Sequence, residues 1–407
     1  MPGSKSHTIR CVAFASLAEG KSEIIAPLNS SDTQAAAETY RRLGADIQCD
    51  DNWIVSGTGG ALQTPTGEID VENSGSTLRF AAGSAALLGE GHAVFTGDHQ
   101  IQSRPIGPLL ASLNDLGANC RSIKGNNCAP LEIRGQMTGG ETEIEAVTSQ
   151  YLTSLLINTP LAANDTRIHV TKLNEQPYAE ITLGYLDEFG IAYQQNEMKK
   201  FIVKGGQRYP AFQKRIPADF SSATFFLCAG AVLDADIVLE GLDFGDTQGD
   251  KAVVDVLREM GAWITMDGMS LHIARRPLQG IDIDMNAIPD ALPALAVVGC
   301  FAEGTTRLLN VEQARLKETD RIAVMASELE KLGGTVEELP DGLIIHASRL
   351  RPAHVNGHHD HRIVMALSLA AMALDEPVSI DTAEAINVTF PSYVELMRGL
   401  GGQLQLS

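Results

Sequence analysis

Aromatic side chains are scarce in this chain, 5% of 407 residues with only two tryptophans, so any core has to be built from aliphatic side chains and alanine. No apolar run reaches the roughly eighteen residues that a membrane-spanning helix needs, and the N-terminus lacks the basic-then-apolar profile of a secretory leader. A cytoplasmic protein without a membrane partner is the expectation. Positive charge is also short: 31 Lys and Arg face 51 Asp and Glu, a net charge of −20, which disfavours nucleic acid as a partner. The six cysteines form no CxxC pair and have no His-rich spacing, so they read as reduced, packed thiols rather than zinc ligands.

Familiar catalytic signatures are missing too. There is no GxxxxGK[ST] loop, no GxGxxG after a strand, no HExxH and no GxSxG. "GHHDHR" (357–362) holds histidines but lacks a second cluster of ligands. Group transfer without a metal or cofactor is the expected chemistry.

What is present is a repeat. Amphipathic helical segments end in a hydrophobic residue plus Gly at Gly44, Gly117, Gly190, Gly261, Gly333 and Gly401, at intervals of 73, 73, 71, 72 and 68 residues. Glycine at that position is a helix stop. Upstream of each lies a more apolar helix, beginning with "HTIRCVAFASLA" and ending the series with "HRIVMALSLAAMAL". A short strand-like run follows each of these, such as "SEIIAP" or "TRLLNV", and further strand-like runs such as "DIQCD", "WITM" and "LQLS" follow the amphipathic helices. The unit is an α/β module repeated six times. The apolar helices should be buried and the amphipathic ones should lie nearer solvent. Three modules per lobe gives two lobes, 1–216 and 217–407, with the boundary in the basic, Pro-containing stretch 204–220.

The apolar helices begin at "GSKS", "NSGS", "VTSQ", "DFSS", "IPD" and "HDHR". N-capping explains any one of these. As a set, converging helix N-termini with Lys5, Arg10, Arg79, Arg104, Lys317, Arg321 and Arg362 at or near them suit a ligand carrying several phosphate or carboxylate groups. "RLKETDR" (315–321) sets Glu318 among cations, and "IPDALPAL" (288–295) sets Asp290 before an apolar helix. A pair of carboxylates suits acid and base work on one substrate; ion pairs and a cap are the plain structural alternatives.

"PGSKS", "NSGSTLR", "TGD…RPIGPLL", "SQYLTSLL", "DFSSA", "QGD", "IPD", "LKETDR" and "DHR" occur in this order, and the chain thereby resembles the 5-enolpyruvylshikimate-3-phosphate synthase family from Lys5 to about Tyr393. The resemblance implies a two-lobed enolpyruvyl transferase fold of six βαβαββ repeats, three per lobe, with the active site in the interlobe cleft. It implies transfer of the enolpyruvyl group of phosphoenolpyruvate to shikimate 3-phosphate, by a monomer needing no cofactor or metal. On the matching positions, Lys5, Arg104, Arg321 and Arg362 would hold phosphoenolpyruvate, and Asn73 and Gly75 would shape its phosphate pocket. Lys5, Ser6, Arg10, Thr148, Ser149 and Tyr178 would hold shikimate 3-phosphate, with Gln313 on the acceptor side and Gln150 between the substrates. Asp290 would take the hydroxyl proton, Glu318 would protonate the methylene, and Lys5 with Lys317 would assist.

The chain departs from the family pattern in places. Val388 stands where a Lys is common, Glu175 where a Ser precedes the "PY" motif, Gln313 for an Asn, Ser31 for an Asp and Phe80 for a Pro. Glu175 and Val388 raise the alternative of another phosphorylated alcohol as acceptor, or of a non-catalytic anion-binding relative. The family also carries a strand ahead of the "PGSKS" motif; without it, the lobes would be joined by a single crossing or the start would lie upstream.

Overall fold

The structure is a computed structural model describing residues 1–406. It divides into two compact units, Gly3–Ile216 and the remainder from Pro217 onward together with Met1 and Pro2. Met1 and Pro2 join the later unit through the Met1 amino group on the Glu240 carbonyl and the Asp219 N–H on the Pro2 carbonyl. The chain therefore passes from one unit to the other twice, at 2/3 and at 216/217, and the expectation of a single crossing is corrected. Met1 and Pro2 each contribute one backbone hydrogen bond to the later unit.

Among the described residues, twelve α-helices alternate in character. The apolar set is α1 (Lys5–Leu17), α3 (Gly75–Ala85), α5 (Ser149–Asn158), α7 (Phe220–Val232), α9 (Leu292–Phe301) and α11 (His361–Met372). The amphipathic set is α2 (Ser31–Arg42), α4 (Gly107–Asp115), α6 (Gln176–Glu188), α8 (Ala252–Glu259), α10 (Arg321–Lys331) and α12 (Tyr393–Gly399). Every residue of α7 is buried, whereas α8 buries only Val253, Val254 and Leu257. The six repeat-ending glycines all have positive φ, from 69° at Gly190 to 109° at Gly44 and Gly261. That left-handed conformation closes a helix and costs any residue with a Cβ.

The second repeat shows the module in full. Ile69–Asp70 pairs parallel with His92–Thr96, which pairs antiparallel with Leu131–Gly135, itself antiparallel to Ala118–Ser122. The third and fifth repeats follow the same order. The first repeat borrows its parallel edge from Gln213–Arg215, which lies beside Lys21–Ile25, and so closes the first unit on itself. The fourth has three strands. In the sixth, His354–Asn356 pairs with Ser379–Asp381, and residues 402–406 form no strand. The expectation for "LQLS" is corrected on 404–406, which form no strand; Ser407 lies outside the described residues.

Each unit has its own aliphatic core, and the five alanines, Val12 and Phe14 packed around α1 and α3 typify the first. Burying a Leu or Phe side chain contributes about 1.5–3 kcal/mol, so these cores hold the helix starts rigidly. Five of the six cysteines are buried, Cys49 is partly so, and none is bridged. No helix among the described residues is long and apolar enough to cross a membrane.

Candidate active site

In the Gly3–Ile216 unit the polar groups gather at the first turns of α1, α3, α5 and α6. Lys5 opens α1 and its Nζ lies 2.9 Å from Asp32 on α2. Arg10, one turn on, is buried and ties α1 to α6. Its Nη1 donates to the Ser6 carbonyl at 2.9 Å, its Nη2 to the Tyr178 carbonyl at 2.7 Å and its Nε to Thr182 Oγ1 at 2.9 Å. The guanidinium also lies 5.4 Å from the centre of the Phe80 ring, so the residue replacing the family's Pro forms the floor beneath it. Burial pushes the Arg10 pKa down to about 10, still charged at neutral pH.

At α3, Asn73 Nδ2 donates to Asp98 at 2.6 Å and also to Gln100, while Arg104 Nη2 reaches Asn73 Oδ1 at 3.3 Å. Arg79 Nη1 donates to the Gly75 carbonyl. A Cβ at Gly75 would stand 2.5 Å from Arg79 Nη1 and 2.8 Å from Arg104 Nη1. Glycine there is what lets two guanidinium groups approach the helix start. Gln150 of α5 donates to Ser76 of α3 at 3.1 Å, joining the two helix starts. Thr148 caps α5, and both it and Ser149 also bond to Glu175.

In the second unit, the residues form one network. Arg321, first residue of α10 and 1% exposed, donates Nε to Asp360 at 2.7 Å, Nη1 to Asp290 at 2.8 Å and Nη2 to Glu318 at 2.6 Å. Arg362 reaches the other Asp290 oxygen at 3.1 Å, and Lys317 lies 3.9 Å from Asp290. Three cations thus face three carboxylates. Asp290 lies in the 3-10 turn Pro289–Ala291, and its carboxylate is spent on arginines; α9 has no side-chain cap. Burial works to raise the Asp290 pKa, but Arg362, Lys317 and Arg321 outweigh it and hold the carboxyl well below the usual carboxylate range, with Glu318 opposing them. Gln313 stands apart from this network in its bonds, donating to the Asn286 carbonyl at 3.2 Å.

Sequence reasoning missed Asp360, Asp32, Asp98 and Gln100 as partners of these groups. Asp360 is fully buried, caps α11 and clamps Arg321. The only signal for it was its place in "HDHR", where a cap was the natural reading. The histidines around it are likewise engaged with carboxylates, His358 with Glu328 at 2.9 Å and His359 near Glu384.

Residues 1–397 match the family model for EPSP synthase (3-phosphoshikimate 1-carboxyvinyltransferase). The chain belongs to the EPSP synthase family. A 3-phosphoshikimate 1-carboxyvinyltransferase of Acetivibrio thermocellus is 53% identical over 99% of the chain and 96% of the relative. One from Ruminiclostridium cellulolyticum is 51% identical over 100% and 96%. Among solved structures, an EPSP synthase from Acinetobacter baumannii aligns over 100% of this chain and 96% of that one, with 27% identity and a TM-score of 0.83. The six-repeat α/β architecture is thus the family's fold, and members that share half of this sequence span essentially its whole length.

Proposed function

We propose that this chain transfers the enolpyruvyl group of phosphoenolpyruvate to the 5-hydroxyl of shikimate 3-phosphate and releases inorganic phosphate, a step of chorismate and aromatic amino acid biosynthesis. It acts as a cytoplasmic monomer. The observation that carries the reading is that Asp290 and Glu318 are bound to one guanidinium, Arg321, so that two carboxyl groups are fixed side by side in a field of cations.

The chemistry divides between them. Glu318 donates a proton to the phosphoenolpyruvate methylene, leaving cationic character on the adjacent carbon. Asp290 accepts the proton of the acceptor hydroxyl, whose oxygen bonds to that carbon. The carbon–oxygen bond to the phosphate then breaks, the phosphate leaving with the proton that Asp290 took from the hydroxyl, and the new methyl group returns a proton to Glu318 as the double bond reforms. Lys5, Lys317, Arg104, Arg321 and Arg362 balance the substrates' negative charge, and preorganised cations favour such charged intermediates without reorganisation. Asn73 and Gly75 shape the phosphate pocket, and Ser6, Arg10, Thr148, Ser149, Gln150, Tyr178 and Gln313 hold the acceptor. Asp290 is a weak base while three cations hold it. Phosphoenolpyruvate brings its own carboxylate and phosphate to those cations, and sharing them raises the affinity of Asp290 for a proton. The base is therefore activated by the substrate.

Phosphate release from phosphoenolpyruvate, measured with and without shikimate 3-phosphate, tests the function. Release should depend on the acceptor, and no acceptor-dependent release would overturn the reading. Glu318→Gln should still bind both substrates and lose roughly 10²–10⁴ in kcat, the usual contribution of general acid catalysis. Unchanged turnover would remove the role of Glu318.

A further inference from the structure

One acidic side chain in the Gly3–Ile216 unit sits on donors that the proposed function reserves for the acceptor. Glu175 is 2% exposed. Its Oε2 accepts from Thr148 Oγ1 at 3.0 Å, from Ser149 Oγ at 3.1 Å and from the Ser149 backbone N–H at 3.3 Å. Three donors thus converge on one oxygen, two of them from Ser149, which is itself 1% exposed. The backbone at Glu175 is left-handed, φ 59° and ψ 40°, immediately before α6. That turn follows the strand Thr166–Leu173 and delivers the carboxylate to the start of α5.

The donor set is one that a phosphate would also take: two hydroxyls and an N–H at a helix N-terminus, where partial positive charge favours an anion. An oxygen already accepting three hydrogen bonds leaves no room for a second anion on the same hydrogens, and two anions at hydrogen-bonding distance from the same donors repel each other. Resting on the function proposed above, we propose that Glu175 is an affinity- and specificity-setting residue: a built-in anion that the phosphate of the acceptor must displace from Thr148 and Ser149. The displacement needs only rotation about the side-chain torsions of Glu175, since its backbone can stay in the left-handed turn. An acceptor without a phosphate does not compete for these donors and is not penalised.

Two substitutions in the intact protein test this. Glu175→Gln keeps size and removes charge; Glu175→Ser removes both. In each, the KM for shikimate 3-phosphate should fall at least about fivefold, while kcat and the KM for phosphoenolpyruvate stay within about twofold, the signature of a change in ground-state binding of one substrate. The inhibition constant of unphosphorylated shikimate should not move. Circular dichroism and a melting curve establish that both variants fold. An unchanged or raised KM for shikimate 3-phosphate in folded Glu175→Gln would overturn the proposal, because the carboxylate would then be supporting the helix start or the acceptor rather than competing. Equal shifts for shikimate and its 3-phosphate would overturn it too. Failure of the unsubstituted enzyme to release phosphate with shikimate 3-phosphate would instead overturn the proposed function, and this inference with it, so the two failures are separable.

Discussion

Asp290 is pulled two ways, since its 17% exposed carboxylate loses hydration that favours charge and gains three cations that favour it more. The cations win, so its folded pKa lies below the value of about 3.9 expected in an unfolded chain. A carboxyl depressed on folding stabilises the fold fully above about pH 4, and the contribution is lost as pH falls from there toward the folded value. Asp290→Asn should therefore cost about 3 kcal/mol at pH 7, the scale for removing one partner of a buried ion pair. Its stability should also fall less steeply than that of the unsubstituted protein below pH 4. Urea titrations at several pH values between 3 and 7 would check both, and parallel acid limbs would show that the Asp290 carboxylate is not the group responsible. The sequence made Glu318 legible because it sits in a short motif with cations beside it, and Asp290 because "IPD" stands just before an apolar helix. Their joint attachment to Arg321 was not legible, since Asp290 and Arg321 are 31 residues apart and belong to different helix starts.

Helix starts show where capping rules suffice and where they do not. Thr148, Asp219 and Asp360 accept from their own first turns, as residues of these types should. Ser4 and Ser74 make no side-chain cap, and Asp290 gives its oxygens to arginines. Asp360 does both jobs, capping α11 and holding Arg321 at the start of α10. The two helices belong to successive repeats, so a fully buried carboxylate fixes one module against the next. Asp360→Asn could still cap α11 but could not balance Arg321, and would leave three cations facing two carboxylates. We expect a loss of about 3 kcal/mol in stability and a fall of at least about tenfold in kcat/KM, because Asp290 and Glu318 lose the anchor of their shared guanidinium. Denaturant unfolding and steady-state kinetics on the same sample separate the two effects; lost stability with unchanged kcat/KM would confine Asp360 to the fold. At this scale the sequence was most readable in its repeats, since the glycine stops and the apolar helices are local patterns. Strand pairing was less so. "LQLS" alternates like a strand yet forms none over 404–406, because alternation describes the two faces of a strand and does not by itself specify a pairing partner.

Over the whole chain, a net charge of −20 has to coexist with two anionic substrates. The solution lies in placement, because screening confines the general negative field to about 8–10 Å at physiological salt, while the arginines and lysines at the helix starts act at contact. Binding should thus be felt at those starts and hardly elsewhere. The roles proposed for shikimate 3-phosphate fall on Lys5, Ser6, Arg10, Thr148, Ser149, Gln150 and Tyr178 in one unit and on Asp290, Gln313 and Lys317 in the other. Amide hydrogen exchange with shikimate 3-phosphate alone should then slow at the first turns of α1, α5 and α6 and across 313–317. The hairpin of Trp263–Asp267 and Ser270–Ala274 carries none of these groups and should exchange as before. A ligand that binds only the folded state slows exchange by the free energy it adds to the segments it orders, so saturating ligand should give at least about a tenfold slowing where the contacts lie. Protection confined to the Gly3–Ile216 unit would remove Asp290, Gln313 and Lys317 from the acceptor's contacts while leaving Glu318 chemistry intact. Protection spread evenly over both cores would mean that the ligand stabilises the fold as a whole, and that the helix starts hold no special claim on the anion.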